Sequence, residues 1–372
     1  MIDFSTLLNI SRIIEKDSKS TTYKLALLRS VIDIIQENSP YIEESIDRVH
    51  FPMGLVIEKW LLYYYPILES SHRIPQIHGS ANLAFATEFQ KLISHYKSQN
   101  GFSKFYRDLI EHGIAPEAQQ HFQELAIKIY QTIKGMPMRY IGSSLYDQHY
   151  SIFRIENRRR SNSSISSLES LISSFGSFSI PVNYFEAFKL MGNYITGQES
   201  ILMKWAEFSV GASDQRLTTE MALGEMLKNP ITSRDILTSK KLYEQVLEKS
   251  GRVFCVWTGK QINSYEIDHV IPFSIWRNND LWNLLPAQPS INRLKRDKIP
   301  SPETIEKSKD RILNYWELLS AQCSDRFPRE IKHALLGNNP SDSWRESAIE
   351  RLKLTTTYLI DVRGYEGWRL PG

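Results

Sequence analysis

Asp268 and His269 stand side by side at the end of an alternating apolar run, SYEIDHVI, and Asn283, Asn292 and Lys295 follow downstream. An adjacent carboxylate and imidazole are the most readily titrated pair a chain can place at a strand end. The carboxylate of Asp268 and the amide oxygen of Asn292 are hard donors of the kind that hold Mg2+ or Mn2+, and two protein ligands leave positions for water and substrate. An imidazole of ordinary pKa, near 6.5, accepts a proton around neutral pH, which makes His269 a candidate general base. Successive side chains on a strand point to opposite faces, so the two residues can serve different partners.

These side chains need a scaffold. RVFCVW (252–257) is β-branched and aromatic, TGKQIN (258–263) offers turn residues, and SYEIDHVI (264–271) alternates again, which predicts a hairpin. A polar loop from Arg277 to Asp280 and the stretch WNLLPAQPS lead into INRLKRDK, a short helix for which Ser290 is the expected cap. The order strand, strand, loop, helix puts the chemistry at the second strand's end and on the helix.

That order, with Asp268, His269, Asn283 and Asn292 at their spacing, resembles the HNH, or ββα-metal, nuclease motif. The segment from Asp268 to Pro300 is similar to the HNH domain of RNA-guided CRISPR effector nucleases. It is also similar to HNH proteins of prokaryotic defence loci, through DLWNLLP at 280–286 and NRLKRDKIP at 292–300.

The resemblance implies a metal-dependent endonuclease that hydrolyses phosphodiester bonds, DNA being the favoured substrate, and leaves 5′-phosphate and 3′-hydroxyl ends. It implies one Mg2+ or Mn2+ per site on Asp268 and Asn292, with His269 as base. Asn283 would orient His269 without being a ligand. Lys295 matches the family's basic position, and Arg293, Arg296 and Lys298 beside it are further candidate phosphate contacts. Restriction or anti-phage defence is the implied setting, with a homodimer or a defence-complex subunit as partner. The alternatives are a homing or phage-borne nicking enzyme and a non-cutting nucleic-acid-binding or assembly subunit. If His269 must be neutral, cleavage is expected to rise with pH through about 6 to 8. Many HNH proteins carry paired cysteines, whereas here Cys255 stands alone and Thr258-Gly259 follows, so no structural zinc is expected.

The rest of the chain bounds this reading. Its 372 residues are 41% hydrophobic and 23% charged, which excludes disorder throughout and gives room for two or three domains. A formal charge of +3 is too small to argue for a polyanion by itself. Two cysteines exclude a disulfide framework. No secretory pattern opens the chain, and the longest apolar candidate, 54–68, is interrupted by Glu58, Lys59 and Pro66, so no membrane span and a cytoplasmic location are expected.

Apolar residues recur at helical spacing in TTYKLALLRSVIDIIQ (21–36), where Ser20 or Thr21 is the expected cap, and in LVIEKWLLYYY, ANLAFATEFQKLISHY and HFQELAIKIYQTIK. Tyr63, Tyr64 and Tyr65 read as core. The fold class expected is α+β, mostly α-helical: a helical recognition or partner domain (1–150), a Ser-rich linker or mobile loop (151–180) introduced by Arg158, Arg159 and Arg160, a helical segment (181–250), the nuclease module (251–300) and a helical C-terminal extension (301–372).

Overall fold

The computed structural model describes residues 4–17, 19–79, 82–141, 151–156, 164–196, 201–213, 216–338 and 343–371. The chain is mostly helical and divides into two compact units, Met1–Pro230 and Ile231–Gly372, each with its own apolar core. Among the described residues no helix is long and apolar enough to cross a membrane.

The helix Met53–Glu69 runs through the core of the first unit, and it is apolar on nearly every side because helices cover it all round. Trp60, Tyr64 and Tyr65 are wholly buried. Tyr65 stacks on Phe102 and Phe105, and Trp60 on Tyr23, so these aromatics serve packing. The preceding helix, Tyr23–Gln36, begins two residues later than its periodicity suggested. Thr22 takes the cap position without a capping bond, since its hydroxyl is committed to Tyr64 and Gln76.

Residues 157–163 of the expected Ser-rich linker lie outside the described residues, and from residue 164 onward the segment departs from that expectation. Residues 168–174 form a helix whose start is fixed reciprocally by Ser167 and Ser170, and Ser177–Pro181 is a buried strand. The reason is the set of apolar residues between the serines: Ile165, Leu168, Leu171, Ile172 and Phe175 are all buried and lie at helical spacing. Gly54 lets the two helices meet, because a Cβ there would lie 2.3 Å from the carbonyl oxygen of Leu171. Arg158, Arg159 and Arg160 lie outside the described residues.

Strand Ser177–Pro181 (β4) is central in an antiparallel sheet that the sequence reading missed. It pairs with Arg48–Pro52 (β2) and Arg154–Glu156 (β3), and Glu43–Glu44 (β1) flanks β2. The unit that contains this sheet continues to Pro230, beyond the boundary near 150 expected for the first domain.

In the second unit, the helix Leu237–Ser250 stops at Gly251, whose positive φ of 66° ends the helix where a residue with a side chain would be strained. Two small strand pairs follow. Val253–Phe254 (β5) pairs with Gln261–Ile262 (β6), whereas Glu266–His269 (β7) pairs antiparallel with Leu284–Ala287 (β8), setting Asp268 opposite Leu285 and His269 opposite Leu284. The strand bearing the Asp-His pair therefore has a different partner from the hairpin anticipated. The continuous apolar run around Leu284 and Leu285 wins because it is wholly buried, and Val256 donates to Pro286 O to bring the first pair against it.

A short helix, Pro289–Lys295, follows β8. Gln288, not Ser290, is its cap, and Pro289 at the first position loses nothing by lacking an N–H. Ile299–Pro300 (β9) then pairs in parallel with Gly367–Trp368 (β10), so the C-terminal segment adds a strand as well as helices.

Units this small need outside support. Tyr243 of the helix 237–250 donates to Leu284 O. From the helix Pro302–Gln322, Arg311 donates to the carbonyls of Val256 and Trp257, and Trp316 to that of Trp282. Trp282 is fully buried and meets Trp276 edge to face.

Candidate active site

Strand β7 ends with three consecutive buried residues, Ile267, Asp268 and His269. Asp268 is held on both oxygens: the Trp257 indole donates to Oδ2 at 2.7 Å and the Lys295 ammonium to Oδ1 at 3.0 Å. Burial raises the Asp268 pKa above the usual carboxylate value, and Lys295 and Trp257 oppose that rise by stabilising the anion.

Lys295 corrects an expectation. It was a candidate phosphate contact, yet its side chain is 0% exposed, with Nζ also 2.6 Å from the carbonyl oxygen of His269. An ammonium so enclosed cannot reach a strand of nucleic acid. It ties the end of the short helix to the end of β7.

His269 has its Nε2 3.4 Å from Oδ1 of Asn279, and its ring meets Phe273 edge to face. Burial lowers its pKa to about 4, with Arg234 and Lys295 adding to the effect and Asn279 opposing it. The imidazole is therefore neutral throughout the range in which it was expected to titrate. The titration expected between about pH 6 and 8 rested on the solvent value, which burial displaces.

Asn283 closes the loop between β7 and β8. Its Oδ1 accepts from Ile271 N at 2.8 Å, its Nδ2 donates to Ile271 O at 3.0 Å, and its own carbonyl accepts from Val270 N. The amide thus mimics a backbone partner and fixes the two residues that follow His269. Asn292, on the short helix, donates through Nδ2 to Glu266 at 2.8 Å.

Asp268, His269 and Asn292 line one cleft of about 350 Å³ together with Arg234, Arg293 and Arg296. Lys298 is not among the lining residues and pairs with Glu366. Arg293 and Arg296 are exposed, as a phosphate contact requires. Arg296 has φ 52° and ψ −131°, a conformation ordinarily left to glycine.

The donor chemistry fits a divalent cation on Asp268 and Asn292. Both supply hard oxygens to the same cleft, and each carboxylate oxygen keeps an acceptor position beyond its one hydrogen bond. Among the described residues there is no cluster of three or more His, Cys, Asp or Glu side chains able to hold a metal. Asp268 and Asn292 are the residues that would hold the ion, with water and substrate completing its shell.

Sequence reasoning missed Trp257, Asn279 and Arg234. Only Trp257 had a readable signal, since an indole N–H in a buried segment must find an acceptor. Asn279 and Arg234 reach the site through tertiary contacts.

Two family models match the chain. The one described as HNH endonuclease matches residues 255–301, which contain β6, β7, β8 and the short helix. The one described as a domain of unknown function, DUF8808, matches residues 3–228.

Proposed function

Since the chain belongs to the DUF8808 family over residues 3–228 and carries an HNH endonuclease domain at 255–301, we propose that it is a metal-dependent endonuclease acting on nucleic acid, DNA in the first instance. The observation that carries this reading is the single cleft that His269 lines together with Asp268, Asn292 and the exposed Arg293 and Arg296.

We read β7, β8 and the helix Pro289–Lys295 as the ββα unit. In the reaction, a water attacks phosphorus, His269 takes its proton, the bond from phosphorus to the 3′ oxygen breaks, and that oxygen takes a proton from solvent water, leaving 5′-phosphate and 3′-hydroxyl ends. Arg293 and Arg296 hold phosphates of the strand. Asn283 keeps the residues after His269 in place, and Lys295 keeps Asp268 and the His269 carbonyl in register. Asp268 and Asn292 would hold Mg2+ or Mn2+, which when bound offsets charge on the phosphate and leaving oxygens. One such site cuts one strand, so a double-strand cut needs a dimer or two events. The resemblance to HNH proteins of defence loci supports a role in restriction or antiviral defence.

One observation favours a second reading, a non-cutting nucleic-acid-binding or assembly subunit: Lys295 already occupies one oxygen of Asp268. Plasmid DNA incubated with wild type and His269→Ala in Mg2+ or Mn2+ decides between them. Cleavage by wild type alone supports the nuclease, and an intact plasmid with both supports the binder.

A further inference from the structure

We propose that Arg234, which lies outside the HNH match, binds a phosphate of the strand being cut; this proposal rests on the nuclease reading. An exposed arginine on an irregular segment usually has no fixed place. Here one side chain fixes the backbone that carries it. Asn279 donates through Nδ2 to Ser233 O at 3.0 Å, and its Oδ1 accepts from Asp235 N at 3.1 Å, so it grips the backbone on both sides of Arg234. Asp235 in turn accepts from Leu237 N, joining the segment to the start of the next helix.

The same Asn279 oxygen is the one that approaches His269 Nε2. A single amide therefore ties the backbone that carries Arg234 to the imidazole, and both residues line the cleft. A guanidinium placed this way can engage a phosphate bidentately, which a flexible ammonium cannot.

Arg234 is also free to exchange its present partner. Its guanidinium is 3.9 Å from Asp297, and the two side chains are 60% and 67% exposed. A solvent-exposed pair of that kind contributes little, so a phosphate displaces Asp297 at small cost. Asp297 follows Arg296 in the turn 295–298, where Lys298 N donates to Lys295 O. Keeping arginine rather than glycine at the strained position 296 sets a third guanidinium, beside those of Arg234 and Arg293, on the same cleft.

The test uses the full-length protein and a short random-sequence DNA duplex in EDTA, with affinity measured across a salt series. Arg234→Gln should weaken binding by about tenfold and make the slope of log K against log salt shallower by about 0.9, the value for one lost phosphate contact. Arg234→Lys should keep the wild-type slope with reduced affinity. Asp297→Asn should tighten binding, and that gain should shrink when residue 234 is Gln. A wild-type slope in Arg234→Gln, or a full Asp297→Asn gain without Arg234, overturns the proposal and leaves Arg234 as a surface partner of Asp297. The slope is read on uncut DNA, so it stands apart from the plasmid assay: a wild type that binds but never cuts sinks the nuclease reading alone.

Discussion

The Lys295 ammonium lies 3.0 Å from Oδ1 of Asp268 inside the domain, with the two side chains 0% and 4% exposed. Removing one partner of such a pair strands the other charge in a poorly solvated place. Lys295→Met should therefore cost about 3 to 5 kcal/mol in chemical denaturation. The double variant Lys295→Met, Asp268→Asn should cost less than the two single changes added together. A single-variant loss below about 1 kcal/mol, the worth of an exposed pair, would show that this pair opens to solvent.

Asn283 makes two reciprocal bonds to the backbone of Ile271 and is wholly buried. Asn283→Ala leaves an N–H and a carbonyl without partners, an expected loss of about 2 to 4 kcal/mol. Cleavage should fall strongly while calorimetry shows Mn2+ binding largely kept. Loss of metal binding in a protein still folded by circular dichroism would make Asn283 part of the metal site.

For the metal itself, Asn292→Ala is the cleaner probe. Its side chain has one exposed hydrogen bond, to Glu266, so stability should change by less than about 1 kcal/mol, whereas Mn2+ affinity and cleavage should both drop. Asp268→Asn should do the same at a greater cost in stability, because it unpairs Lys295. Wild-type cleavage by either variant is incompatible with the assignment.

The low pKa of His269 makes a prediction in pH. The imidazole is a base only when neutral, and burial holds its folded pKa at about 4, so kcat/KM should show the acid limb of this group near pH 4 and no His269 titration through neutrality. Stability follows the same sign. The folded pKa lies below the ordinary 6.5, so the unfolded chain takes up the proton first, and the contribution of His269 is complete above 6.5 and lost as pH falls to about 4. His269→Ala should flatten the stability profile across that window. NMR titration of the ring in the uncomplexed protein checks both, and a midpoint near 6.5 would contradict the burial argument.

Gly54 offers a test in the first unit. Gly54→Ala drives a Cβ into backbone atoms of residues 171 and 172, which cannot swing aside as a side-chain tip would, and should destabilise by about 1 to 3 kcal/mol. The serines around it should also resist limited proteolysis over 164–178, since that stretch is a helix and a buried strand. Rapid cutting there would restore the view of the segment as a linker.

Much of this protein could be read from local pattern. Helices such as Tyr23–Gln36 and Met53–Glu69 show in the spacing of their apolar residues, because a helix face is a property of a few consecutive turns. The types and offsets of Asp268, His269, Asn283 and Asn292 likewise mark a candidate site in the sequence, and three of them, Asp268, His269 and Asn292, line one cleft. Tertiary structure decided what those groups face. The Ser-rich stretch folded because distant apolar residues bury its own, and β7 chose Leu284–Ala287 over the nearer strand because that partner is the more deeply buried. Lys295 became a structural cation, His269 lost its solvent pKa, and Asn279 brought Arg234 into the cleft. Desolvation and long-range hydrogen bonding depend on neighbours far along the chain, and no local spacing records which neighbours those will be.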